Sequence, residues 1–230
     1  MQHLLITGCN RGLGLEFCRQ FLEAGWKVTA TCREPEHAKS LSELKSKYSA
    51  LSIKQLFLDE PSSFDSFTSE LGTQPVDLLI NNAGTYGGTP QALDNCDPEQ
   101  WQHTFLVNSI SPILLTRAVL ENLRLSKDPK VAFLTSKMGS IGDNSSGRSY
   151  LYRSSKAALN AAIKSLSIDL REDNIPVIAL HPGWVRTDMG GPNGLIDATE
   201  SITGLRQRIQ QLSLSNSGCF VDYAGNAIPW

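Results

Sequence analysis

The stretch Thr7-Gly8-Cys9-Asn10-Arg11-Gly12-Leu13-Gly14 decides how this chain folds. It follows the short apolar strand His3-Leu-Leu-Ile-Thr7 and leads into Leu13, Phe17 and Phe21, with Leu15, Cys18 and Leu22 beside them, at helical spacing. Glycines at a strand-to-helix junction let the backbone approach a phosphate closely, and the helix start adds amide protons and a favourable dipole. The spacing differs from Gly-x-Gly-x-x-Gly, so it is not that fingerprint, and the string alone also fits a tight turn holding no ligand.

Working outward, Gly25 ends the helix, and strands are predicted over 27–31, 51–58, 76–80, 130–135 and 175–181, with a last one around Phe220. Between them lie helical patterns over 37–48, 62–71, 98–123, 149–171 and 201–212. Strands alternating with helices imply a parallel sheet with right-handed crossovers. The expected fold is a single doubly wound α/β (Rossmann) domain over 1–230, with about seven strands and helices on both faces. The Gly/Pro/Asp stretch from Asp188 to Asp197 opens what reads as a short substrate lid near 188–215.

With 230 residues and a formal net charge of -2, the chain has one substantial core and no basic excess. Nucleic acid and anionic membrane are therefore not expected partners, and a small molecule is. Five cysteines, at 9, 18, 32, 96 and 219, are scattered and lack metal-ligand spacing, so reduced thiols and no metal site are expected. Strand-like sequence from His3 and the lack of any long apolar run predict a cytoplasmic protein.

The end of the second strand reads Thr31-Cys32-Arg33, with no acid to hydrogen-bond a free ribose hydroxyl. Arg33 and Arg11 both carry forked donors suited to a 2'-phosphate, which favours NADP(H) over NAD(H); each also reads as a solvated surface charge. Asp59, at the end of the third strand, suits the adenine amino group or a helix cap equally.

Tyr152-Arg153-Ser154-Ser155-Lys156 puts a phenol and an ammonium at i and i+4 on one helix face. A phenol ionises near 10 in water and an adjacent ammonium lowers that value, so the pair is expected to trade a proton near neutrality. Reduction of a carbonyl needs such a proton donor. Ser136 abuts the strand at 130–135, at the sheet edge that also carries the glycine turn, where its hydroxyl can donate to an oxygen gaining charge. Pro112 cannot donate to the carbonyl of Asn108, and that freed oxygen is expected to hold a water linking Lys156 to solvent.

The glycine turn, Asp59, Asn81-Asn82-Ala83-Gly84, Asn108, Ser136, Tyr152, Lys156 and Pro182-Gly183 stand in an order that resembles the short-chain dehydrogenases/reductases over nearly the whole chain. More narrowly, Ser136-Lys-Met-Gly-Ser-Ile-Gly, Tyr152-Arg-Ser-Ser-Lys-Ala-Ala-Leu-Asn and His181-Pro-Gly-Trp-Val-Arg-Thr-Asp-Met-Gly-Gly are similar to C-factor-type carbonyl reductases. The resemblance implies Tyr152 as acid/base, Lys156 tuning it and bonding the nicotinamide ribose, Ser136 orienting the carbonyl and Asn108 holding a relay water. It implies cofactor contacts from Gly8, Asn10, Arg11, Gly12, Leu13 and Gly14, from the backbone near Asn82, and from Pro182, Gly183, Val185 and Thr187. It also implies homodimers or homotetramers.

Loops at the same edge supply Tyr86, Met138, Tyr150, Trp184 and Met189 as expected walls for an uncharged carbonyl compound. The expected activity is NADPH-dependent reduction of a small aldehyde or ketone. A cofactor-binding signalling or regulatory protein and a pterin or quinone reductase are the alternatives. Ser140 and Ser145 lie between Ser136 and Tyr152, but Ser136 alone abuts the strand, and Trp230 is expected to be docked on its own subunit or across an interface.

Overall fold

The computed structural model describes residues 1–230. In chain order its elements are β1 (His3–Ile6), α1 (Gly12–Glu23), β2 (Lys27–Cys32), α2 (Lys39–Lys47), β3 (Leu51–Gln55), α3 (Phe64–Leu71), β4 (Leu78–Asn81), α4 (Pro98–Phe105), α5 (Ser111–Ala118), α6 (Leu120–Arg124), β5 (Lys130–Leu134), α7 (Tyr150–Asp169), β6 (Val177–His181), α8 (Ala198–Gln210) and β7 (Cys219–Asp222). The strands pair in parallel as one sheet of order β3-β2-β1-β4-β5-β6-β7. The order reverses between β1 and β4, which leaves a crevice at their carboxyl ends.

Burial on both faces explains why the central strands are almost wholly apolar. Leu4, Ile6, Val28, Ala30, Leu78, Ile80, Ala132 and Leu134 point into a core shared with Phe17 and Phe21 of α1 and Ile202 and Leu205 of α8. Leu5, Leu79, Val131 and Phe133 point the other way, against Phe64 and Phe67 of α3, Leu115 of α5 and Leu159 and Ile163 of α7. No helix is long and apolar enough to cross a membrane.

Two expectations change. The helix predicted over 98–123 is broken into α4, α5 and α6, with a π turn over Leu106–Ile110 in which the Ser111 amide donates to the Leu106 carbonyl. Pro112 has no N–H to keep the four-residue register, so the chain slips by one residue ahead of it. The lid predicted near 188–215 extends too far: α8 buries Ile202, Leu205 and Ile209 and belongs to the core. The loop after β6, 182–197, is bonded within itself through Arg186 N–H to Ile196 O (2.9 Å) and Leu195 N–H to Trp184 O (2.7 Å).

The carboxyl-terminal segment docks on its own chain. The Trp230 ring packs against Phe220 with centroids 5.4 Å apart, and the Trp230 carbonyl accepts the Gly142 amide at 3.1 Å. The buried Ser140 hydroxyl donates to the Pro229 carbonyl, which occupies this serine structurally. Lys137 faces outward and pairs with Asp143 at 3.2 Å.

Candidate active site

Two of the three glycines in the turn are required by packing. A Cβ on Gly8 would lie 2.8 Å from Ala83 Cα, and one on Gly14 would lie 2.1 Å from the Gly8 carbonyl oxygen. Gly12 is left-handed at φ +56°, as Gly8 is at φ +71°, but a Cβ there would meet nothing nearer than the Thr187 methyl at 3.7 Å. Arg11, the N-cap of α1, is extended and offers no side-chain cap, so the first amides of α1 stay free. Free amides above an open glycine suit a pyrophosphate. Asn10 is exposed and Leu13 half-buried at this turn.

Asn82 ties the turn to β4: its Nδ2 donates to the carbonyls of Thr7 (2.8 Å) and Gly8 (3.1 Å), and its amide donates to Thr7 Oγ1 (3.1 Å). After β6, the Pro182 carbonyl accepts the Ser201 hydroxyl at 2.6 Å, Gly183 packs against Ile196 and Tyr223, and Val185 is buried in a bridge to Ile196. Thr187 is thereby carried to Gly12. At the end of β2 Arg33 is exposed and has no ion-pair partner, while the adjacent Glu34 is turned to His37 Nδ1 at 3.1 Å. Arg11 pairs instead with Asp188 of the loop after β6. Asp59 is half-buried, accepts no hydrogen bond and caps no helix, since the short turn over Pro61–Ser63 has Glu60 at its cap position.

The chemical groups gather at the carboxyl end of β5. Ser136 is buried two residues past the end of β5, and its Oγ accepts the Met138 amide at 3.1 Å. Lys156 is 4% exposed and its Nζ donates to the Leu134 carbonyl at 2.8 Å. The Asn108 side chain accepts the Thr85 amide (2.8 Å) and donates to the Thr85 carbonyl (2.8 Å) and Ser155 Oγ (3.0 Å). A Cβ on Gly84 would lie 3.1 Å from Asn108 Oδ1 and 3.5 Å from Lys156 Nζ, so these groups converge where that residue must be small.

Proton affinities in the protein alone run opposite to the helical-spacing argument. Burial pushes the Tyr152 phenol up to about 12, with Ser136 pulling it down and Tyr86 adding to the rise. Burial also draws the Lys156 ammonium down to about 8. Desolvation favours the neutral form of each group, and Lys156 is spent on the Leu134 carbonyl rather than on the phenol. The Asn108 expectation is widened: with Ser111 N–H given to Leu106 and none on Pro112, both Val107 and Asn108 lose their donors four residues on.

Of the expected substrate walls, Tyr86 is the most engaged. Its ring lies 4.9 Å from that of Tyr152 at 33°, and its hydroxyl is 2.9 Å from Ser149 Oγ. Met138 follows Ser136 in a 3-10 turn, and Tyr150 packs loosely on Trp101 (6.3 Å). Trp184 and Met189 are more than half exposed in the loop after β6, with Trp184 Nε1 donating to the Gly190 carbonyl at 2.7 Å. Thr85, Ser155 and Gln91 were missed, because a lone polar residue in a Gly/Thr/Pro loop or on a helix carries no spacing signal.

Residues 2–195 match the family model for short chain dehydrogenases. C-signal of Myxococcus xanthus is 44% identical over 165 residues, 72% of this chain and 99% of that protein. The carbonyl reductase Sniffer of D. melanogaster superimposes with a TM-score of 0.95 at 34% identity, over 100% of both chains. The NADPH-bound carbonyl reductase from chicken fatty liver superimposes with a TM-score of 0.94 at 33% identity, over 100% of this chain and 99% of that one. The chain belongs to the short-chain dehydrogenase/reductase family of oxidoreductases.

Proposed function

We propose that this chain catalyses the NADPH-dependent reduction of a small aldehyde or ketone, and the reverse alcohol oxidation, with Tyr152 as acid/base. The observation that carries the reading is the gathering of Ser136, Tyr152, Lys156 and Asn108 beside a glycine turn whose helix amides are uncapped. Bound cofactor supplies the hydride. Ser136 donates to the carbonyl oxygen as charge builds on it, and Tyr152 delivers the proton. A buried phenol held protonated is the form that reduction consumes, and Lys156, charged below its value of about 8, favours the phenolate left behind. Water at the Asn108 carbonyl returns the proton from solvent.

For the cofactor, the free amides of α1 take the pyrophosphate, Arg33 and Arg11 the 2'-phosphate, and Asp59 the adenine amino group. The mainly apolar side chains of Tyr86, Met138, Tyr150, Trp184 and Met189 suit an uncharged substrate. Family members commonly self-associate, so a homodimer or homotetramer is the expected assembly, which sedimentation reads directly. The test of activity is loss of nicotinamide absorbance when the protein meets NADPH and a panel of aldehydes, ketones and quinones. Tyr152→Phe should abolish turnover and keep NADPH binding; full activity in that variant would end the proposal. The likeness to C-signal favours a second reading, a cofactor-binding signalling protein, which NADPH binding without turnover across the panel would support.

A further inference from the structure

The catalytic helix begins without a local cap. Ser149, its N-cap residue, is left-handed at φ 49° and makes no side-chain cap bond, and Arg148 before it is left-handed as well at φ 55°. Two consecutive non-glycine residues in that region are strained and persist only where surroundings hold them. The amide of Tyr152 lies in the first helical turn, where no intrahelical acceptor exists.

That amide is satisfied from 61 positions away in sequence, by Gln91 Oε1 at 3.1 Å. The same side chain donates through Nε2 to the Tyr86 carbonyl at 2.7 Å. Gln91 is 6% exposed, so neither bond is replaced cheaply by water. The amide orientation is fixed by its partners: an N–H needs the oxygen and a carbonyl needs the nitrogen. Tyr86 closes the arrangement, with its ring 4.9 Å from the Tyr152 ring and its hydroxyl 2.9 Å from Ser149 Oγ.

We infer that Gln91 and Tyr86 form a clamp that fixes the first turn of α7 and thereby the position of the Tyr152 phenol, with Gln91 as a positioning residue for the reaction. The inference rests on the reading of Tyr152 as acid/base for its kinetic consequence, though not for its structural one. A backbone amide held by a side chain that itself anchors the covering tyrosine has one geometry, and a phenol displaced by about 1 Å loses on the order of a hundredfold in rate. Glutamate at position 91 keeps an acceptor for the Tyr152 amide and loses the donor to Tyr86; methionine and alanine keep neither.

Two measurements on the full chain test this. Amide hydrogen exchange should show Tyr152 N–H exchanging at least about tenfold faster in Gln91→Met and Gln91→Ala than in wild type, with Gln91→Glu near wild type and the middle of α7 unchanged in all three. In steady-state reduction, kcat should fall about tenfold to a hundredfold in the methionine and alanine variants, with partial recovery in Gln91→Glu and the NADPH dissociation constant within about twofold throughout. Unchanged Tyr152 exchange, or equal loss of kcat and NADPH affinity with no recovery in Gln91→Glu, overturns the clamp. If wild type turns over no carbonyl, the activity reading fails, and the exchange experiment still decides the clamp by itself. Should Gln91→Ala not fold, the near-isosteric methionine and glutamate variants carry both readouts.

Discussion

Arg11 Nη1 lies 2.7 Å from Asp188 Oδ2, which joins the glycine turn to the loop after β6. The side chains are 69% and 72% exposed, so the pair adds little to stability, at most about 1 kcal/mol. Its consequence is competition: a guanidinium committed to a carboxylate must leave it to meet a cofactor phosphate. Asp188→Asn should therefore tighten NADPH binding up to about fivefold while leaving NADH unchanged, as read by calorimetry at low salt. Equal changes for both nucleotides would show that Arg11 does not discriminate between them.

Glycines 12 and 14 look alike in the sequence and should behave differently when replaced. Gly14→Ala drives a methyl to 2.1 Å from the Gly8 carbonyl oxygen, a contact only backbone movement relieves, so the variant should lose several kcal/mol or fail to fold. Gly12→Ala has room but must hold φ +56°, which costs roughly 1–2 kcal/mol. Its methyl also enters the space above the free amides of α1. The melting temperature should fall by only a few degrees while NADPH affinity falls at least about tenfold; a Gly12→Ala protein with wild-type affinity would remove this glycine from the cofactor site.

The contrast between these glycines also marks what the sequence could and could not reveal. The apolar runs Leu4-Leu5-Ile6 and Val131-Ala132-Phe133-Leu134 placed the strands, because a parallel sheet buried on both faces admits little but apolar side chains. Ser136 was legible because it stands at the end of a predicted strand, and Tyr152 and Lys156 because helical spacing puts them on one face, whereas Asn82 and Pro182 came only from the resemblance to the family. Proton affinities were not legible, since burial depends on what covers the helix, and the loop between β4 and α4 that carries Tyr86 and Gln91 has no periodic pattern. The π turn before Pro112 was half visible: the missing donor is written in the proline, but the choice between a kink and a slipped register depends on packing against α7.

His181 should make the protein acid-sensitive. Burial draws its imidazole down to about 4 from 6.5, only partly opposed by Asp222, and its Nδ1 is buried without a partner. The unfolded chain therefore binds the proton more readily than the folded one. Stability is full above about pH 6.5 and is lost as pH falls toward 4, by about 3 kcal/mol in total from this group. Urea unfolding of wild type and His181→Leu at pH 7.5 and 4.5 reads the difference, with the leucine variant losing less by about that amount. Parallel losses in the two proteins would place the acid sensitivity elsewhere.

Lys156 predicts a trade between stability and activity. Its ammonium is drawn down to about 8 from 10.5 by burial, so below pH 8 the folded state carries the full cost of a desolvated charge. Between those values the unfolded chain holds the proton more tightly, and wild-type stability rises with pH. Lys156→Met removes a cost of about 3 kcal/mol and leaves the Leu134 carbonyl without its donor, which returns about 1 kcal/mol of it. The variant should be inactive yet up to about 2 kcal/mol more stable than wild type at pH 7, with the advantage closing as pH approaches 10. Denaturant midpoints at pH 7 and pH 10 check both the sign and the closure. A methionine variant less stable than wild type at pH 7 would mean that the ammonium is better solvated, or better paired, than its burial and single bond to Leu134 imply.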